Sequence, residues 1–150
     1  MSPPGRGDGA RVVVAGLDDS DSSWHAVAYA VGLARRQEAL LVLVHVLPAH
    51  PIALLAGAAW LLAGTDVTAA DELRGRVAAG LSCMTEARAL RWEFVVLPVG
   101  DPVAGIAHVA DERRADTVVV GASHTFTHRL GGATGTRLIK AGRWPVVVVP

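Results

Sequence analysis

Apolar residues along the chain fall into two patterns. Five short segments are nearly unbroken apolar runs. Between them, apolar positions recur every three or four residues. The runs lie at 11–17, 40–47, 92–99, 116–121 and 146–149, and four of them carry runs of Val and Leu without polar alternation. A strand with one wet face alternates, whereas a strand covered on both faces does not. The five runs therefore predict strands of a parallel sheet.

The intervening segments predict helices. Over 20–37, Trp24, Val27, Ala28, Val31 and Ala34 share one face, and Ser20, Asp21 or Ser22 can cap the start. Over 65–89, Leu73, Val77, Leu81 and Met84 follow a similar period, while Gly75 and Gly80 weaken the propensity. Over 101–114, Asp101 is placed to cap and Pro102 to open the helix, with Ile106, Val109 and Ala110 inward and residues 111–114 outward. A last helix is predicted over 134–141. Strands alternating with helices give βαβ units with right-handed crossovers. The expected object is one α/β domain over 11–150: a five-stranded, doubly wound parallel sheet with four flanking helices, preceded by a flexible tail at 1–10. Sheets of this kind take ligands beyond the carboxyl ends of their strands, where the strand order reverses. Attention falls on the loops after Leu17, Leu47 and Gly121.

Composition narrows the choice of partner. The chain has 150 residues, 51% hydrophobic and 19% charged, with a formal net charge of zero. That suits one core and gives no electrostatic case for nucleic acid or an anionic membrane. All basic residues but Lys140 are arginine, which reads as genome composition bias rather than chemistry. The longest apolar stretch, 51–64, is shorter than the roughly 20 residues a membrane span needs. It reads as a short apolar helix or flap that folds over the sheet edge as a lid or packs at the dimer; the competing reading is an exposed patch for a partner or membrane surface. No secretory signal is visible, so a cytoplasmic location is expected. The single cysteine, Cys83, is expected to be a small buried hydrophobe.

Several chemistries find no support. The chain has no GxxxxGK[ST], no GxGxxG after the first strand and no G-x-S-x-G. His45, His50, His124 and His128 fall near the expected carboxyl edge but in no ligand spacing, so they read as solvated or backbone-bonded and no metal is predicted. The tryptophans, Trp24, Trp60, Trp92 and Trp144, read as packing residues.

Three stretches, in this order, resemble one family. They are VVVAGLDDSDSSWHAVAYAVGLARR, VLPVGDPVAGIAHVADERRADTVVVGAS and HRLGGATGTRLIKAGRWPVVVVP, with LVLVHVLP also fitting. The chain is similar to universal stress proteins over most of 11–150, leaving 49–91 unmatched. The resemblance implies a Rossmann-like sheet of order 3-2-1-4-5, pairing through the last strand, and in many members bound ATP. It implies roles in survival under starvation, oxidants or growth arrest. The pairing has a physical argument of its own: if Val146, Val147, Val148 and Val149 form an edge strand, its free N–H and C=O groups invite a symmetric partner. A central or loop-covered strand would remove that argument.

The resemblance assigns nucleotide-site roles to Asp18, Val46, Val120, Gly121, Gly132, Ala133 and Thr134. Asp18 would accept from the adenine amine, its competing role being helix capping. Val46, following His45, would offer main chain only. The family's phosphate signature is glycine, two residues, glycine, nine residues, then glycine and Ser or Thr. Its glycines let backbone N–H groups approach phosphate. Here Gly121 follows Val120, but His124 holds the second position. Counting forward places Thr134 at the third; counting back from Pro145 places Gly132-Ala133, with a loop two residues shorter; Gly135-Thr136 is offset. The signature is degenerate in each register, although hydroxyls at Ser123, Thr125, Thr127, Thr134 and Thr136 and the charges of Arg129 and Arg137 keep the region suited to an anion. The leading expectation is a homodimeric regulatory module in stress response that binds ATP or another adenine nucleotide. The alternatives are a protein-interaction module of the same fold that has lost the nucleotide, and a slow ATPase.

Overall fold

The computed structural model describes residues 11–47, 59–84, 89–98, 100–122 and 134–150. Strands β1 (Val12–Gly16), β2 (Leu40–Val46), β3 (Trp92–Leu97), β4 (Thr117–Gly121) and β5 (Val146–Val149) alternate with helices α1 (Asp21–Gln37), α2 (Ala59–Cys83), α3 (Pro102–Glu112) and α4 (Thr134–Ala141). All pairings are parallel, and the strand order is β3-β2-β1-β4-β5. The expected doubly wound α/β sheet with four helices is therefore the fold observed.

The unbroken apolar runs are explained by cover on both faces. Val13 and Ala15 face one way, into a cluster with Ala26, Val27 and Ala30 of α1 and Leu73 and Val77 of α2. Val12 and Val14 face the other way, toward Ile106 and Val109 of α3 and Leu138 of α4. Val13, Val14 and Ala15 are fully buried. A buried valine side chain contributes about 1.5–3 kcal/mol, so each successive β1 residue stabilises a different layer.

Helix boundaries follow local chemistry. Ser20 is the α1 N-cap, its side chain accepting from Ser23 N–H. Glu38 ends that helix in the left-handed region (φ 53°), its N–H directed at the last carbonyls. Asp101 caps α3 and Pro102 opens it, as expected.

Four expectations require correction. Helix α2 begins at Ala59, inside the apolar stretch, and ends at Cys83 rather than near 89. Cys83 is exposed, because the helix ends there beyond its last buried turn at Leu81. Met84, just outside the helix, is exposed for the same reason. Ala28 also faces solvent; the inner face of α1 runs through Ala26, Val27, Ala30, Val31 and Ala34. The tail at 1–10 and the stretch 51–58 lie outside the described residues. No described helix is long and apolar enough to cross a membrane.

Candidate functional site

The strand order reverses between β1 and β4, and the carboxyl ends of both strands meet the first turn of α1. That turn brings two of the predicted residues, Asp18 and Gly121, into one neighbourhood.

Asp18 follows β1 and is exposed. Its Oδ1 accepts from Ser20 N–H at 3.1 Å and from the Ser20 hydroxyl at 2.6 Å. Its own N–H donates to Ser23 Oγ at 3.4 Å, and that hydroxyl donates in turn to Ser20 O at 2.8 Å. Burial pushes the Asp18 carboxyl up, but the bonds from Ser20 and Ser23 outweigh it and hold the group below the ordinary carboxylate range. The cap itself is Ser20; Asp18 steadies the cap rather than replacing it. Among the described residues no hydrogen bond reaches Asp18 Oδ2.

Asp19, the next residue, has φ +68°. Its Oδ1 accepts from the Trp24 indole N–H at 2.8 Å and pairs with Arg76 of α2. The Arg76 guanidinium lies 4.9 Å from the centroid of the Trp24 ring. The Trp24 bond, opposed by slight burial and joined by Arg76, holds the Asp19 carboxyl low.

Gly121 ends β4 against α1. A Cβ there would lie 2.5 Å from Ser22 C, 2.6 Å from Ser22 O and 2.7 Å from Ser23 N. This glycine is thus required by the close approach of two backbones, whatever binds nearby. Val120 is buried, so only its main chain can meet a ligand. Val46 is likewise committed through its side chain, which packs on the same core cluster as Val120 and would touch a Cβ on Gly105 at 2.8 Å. His45 directs Nδ1 to Leu17 O at 2.8 Å; a carbonyl only accepts, so Nδ1 carries the proton, and the ring stacks on Phe94. Among the described residues no group of three or more His, Cys, Asp or Glu is arranged to hold a metal.

Thr134 opens α4 and is half-buried. Gly135 is buried, and a Cβ on it would meet Val148 Cγ2 at 2.7 Å, so its small size serves helix–sheet packing. Arg137, expected to enrich the anion region, makes a two-pronged bond to Asp101 at 2.8 and 2.6 Å. That bond, against slight burial and with help from Ala104 N–H, lowers the Asp101 carboxyl and raises Arg137. Gly132, Ala133, His124, His50, His128 and the hydroxyls at 123–127 lie outside the described residues.

The sequence model of the universal stress protein family matches residues 9–150. The chain belongs to the universal stress protein family. Solved members share the architecture. A universal stress protein from Lactobacillus plantarum is 25% identical with a TM-score of 0.71, covering 95% of this chain and 100% of its own. A universal stress protein solved in complex with cAMP is 27% identical with a TM-score of 0.63, covering 93% and 96%. One from Archaeoglobus fulgidus in complex with dAMP is 20% identical with a TM-score of 0.61, covering 95% and 98%, a likeness of fold. No curated protein matches the chain.

Within this universal stress protein domain, two of the expected residues, Asp18 and Gly121, lie at one turn, whereas sequence reasoning did not single out Arg76 or the bonding role of Trp24. Arg76 lies 57 positions from Asp19, in the stretch no family motif covered. Nothing in the apolar spacing of Leu73 and Val77 singled it out.

Proposed function

We propose that the domain is a homodimeric regulatory module of the cytoplasmic stress response that holds an adenine nucleotide at the carboxyl end of β1. The carrying observation is Asp18: a carboxylate at the switch point, anchored through Oδ1 by Ser20, with Oδ2 unengaged by the described residues. A held carboxylate oxygen is suited to accept from an exocyclic amine. The 27% identical relative solved with cAMP supports an adenine nucleotide as the guest. Val46 and Val120 would contribute main chain, and Gly121, Gly132, Ala133 and Thr134 would border the phosphates. ATP is one candidate among such nucleotides. Pairing through β5 is supported by its place at the sheet edge, with Val148 exposed.

Titration calorimetry with ATP, AMP and cAMP tests the reading. Asp18→Ala should weaken binding about ten- to a hundredfold, the loss of a charged hydrogen bond. No heat and no thermal shift at millimolar nucleotide would overturn it. A second reading, an interaction module without nucleotide, is favoured by Gly121 and Gly135, whose small size packing alone accounts for. Nucleotide released from freshly purified protein and identified by mass spectrometry would refute that second reading.

A further inference from the structure

Resting on the nucleotide reading of Asp18, we propose that Arg76 is a positioning residue: seated on Trp24, it pins Asp19 in a left-handed backbone conformation and so fixes the direction in which Asp18 presents its carboxylate.

The described residues include three non-glycine positions with positive φ: Asp19, Glu38 and Arg114. Glu38 and Arg114 lie just past the ends of α1 and α3, where a left-handed residue is common. Asp19 ends no helix. It lies between the last residue of the β1 exit and the cap of α1, at the carboxyl edge of the sheet. Side chains other than glycine avoid this region, Asp and Asn least. Such a conformation persists where its surroundings over-determine it, and these outliers cluster at ligand sites.

The surroundings here are specific. One oxygen of Asp19, Oδ1, receives both the Trp24 indole N–H and the Arg76 guanidinium. The two donors also stack on each other, the guanidinium over the indole. Trp24 belongs to α1 and Arg76 to α2, so the carboxylate is held from two elements at once. The Arg76 and Asp19 side chains are 54% and 50% exposed, and an exposed ion pair contributes little to stability. The value of the cluster lies in geometry instead. Ser20 N–H reaches back to Asp18 Oδ1 across Asp19, so the φ of Asp19 decides whether that bond can close.

The test is a cycle in the full chain. Apparent affinity falls by the fraction of molecules holding the competent loop. Affinities for AMP and cAMP would be measured by calorimetry. Asp19→Ala should weaken binding about tenfold, because alanine disfavours positive φ and loses both donors. Arg76→Ala should weaken it about fivefold, since one of two anchors goes. Asp19→Gly, which adopts the conformation freely, should bind within about twofold of the natural protein. Adding Arg76→Ala to Asp19→Gly should change nothing further. Equal losses from Arg76→Ala in both backgrounds would overturn the proposal, because Arg76 would then act on the ligand directly. No loss from Arg76→Ala would overturn it as well.

A second readout needs no ligand: carboxyl NMR titration of Asp18. Its midpoint should rise in Arg76→Ala, as the Ser20 bonds loosen, and return in the double variant. If the natural protein binds neither nucleotide, the proposed function falls, and this titration still decides. A rise restored by glycine upholds the positioning role; an unchanged midpoint overturns it.

Discussion

Two regions flank the first turn of α1, and they are built on opposite principles. On the β1 side, five polar residues and an indole hold one another: Asp18 with Ser20 and Ser23, and Asp19 with Trp24 and Arg76. On the β4 side, Gly121 and Gly135 are small because backbone and Val148 press against them. The first region is shaped by hydrogen bonds that a ligand can redirect. The second is shaped by contact distances that a ligand cannot change. A glycine in a family's phosphate pattern therefore has two possible causes, and here close packing accounts for the glycine at 121 without any phosphate.

The largest effect should come from adding one carbon to the packed side. Gly121→Ala places a Cβ within 2.7 Å of three backbone atoms of α1, and none of them is the far end of a flexible chain. The loss should be roughly 2–3 kcal/mol, read as a lower urea midpoint at unchanged slope. Gly75→Ala and Gly80→Ala are the controls. Among the described residues nothing lies within 4 Å of either Cβ position, so each should stabilise α2 by up to about 1 kcal/mol. A neutral Gly121→Ala would break the comparison, since the glycine would then have to be explained by a ligand.

A smaller effect is expected where α3 meets α4. Asp101 caps α3 through Ala104 N–H and holds Arg137 of α4 with both oxygens. Asp101→Ala should cost about 1 kcal/mol, mainly the lost cap. Asp101→Asn retains a capping oxygen and should lose much less. Equal losses in thermal melts would mean that the ion pair with Arg137, not the α3 cap, carries the contribution of Asp101.

Most of the fold was legible because both-sided burial leaves an unmistakable pattern. Val12–Gly16 and Leu40–Val46 read as strands in a parallel sheet, and the Asp101-Pro102 helix start is where it was expected. The α2 start was missed because Ala59–Gly64 is apolar without period, so no face could be recognised before Leu73. Cys83 and Met84 were misplaced because periodicity cannot tell where a helix outruns its neighbour. At the site, Asp18 was legible as a carboxylate at a strand end. Asp19, Trp24 and Arg76 were not, since their association depends on α2 crossing beside α1, and nothing local encodes it. The competition for Arg137 was hidden in the same way: its partner is 36 positions earlier.

Acid gives the finest test of the contrast. Asp18, Asp19 and Asp101 are all held below the ordinary carboxylate range in the folded protein. Unfolded carboxylates titrate near 4, so between that value and the lower folded ones the unfolded chain binds more protons. Stability should be level from about pH 7 to 5 and fall as pH drops below about 4. All three groups are solvent-accessible, so each should contribute at most about 1 kcal/mol. Asp101→Asn removes the contribution made outside the β1 loop. What remains should be reduced to the share of Asp18 by Asp19→Asn, which keeps an oxygen for the Trp24 N–H and tolerates positive φ but cannot pair with Arg76 as a charge. Gly121→Ala should shift the whole curve downward without changing its slope, because no proton is exchanged at a packing contact. If instead Asp19→Asn leaves the acid slope untouched and Gly121→Ala alters it, the division between a bonded side and a packed side fails, and the two regions act as one.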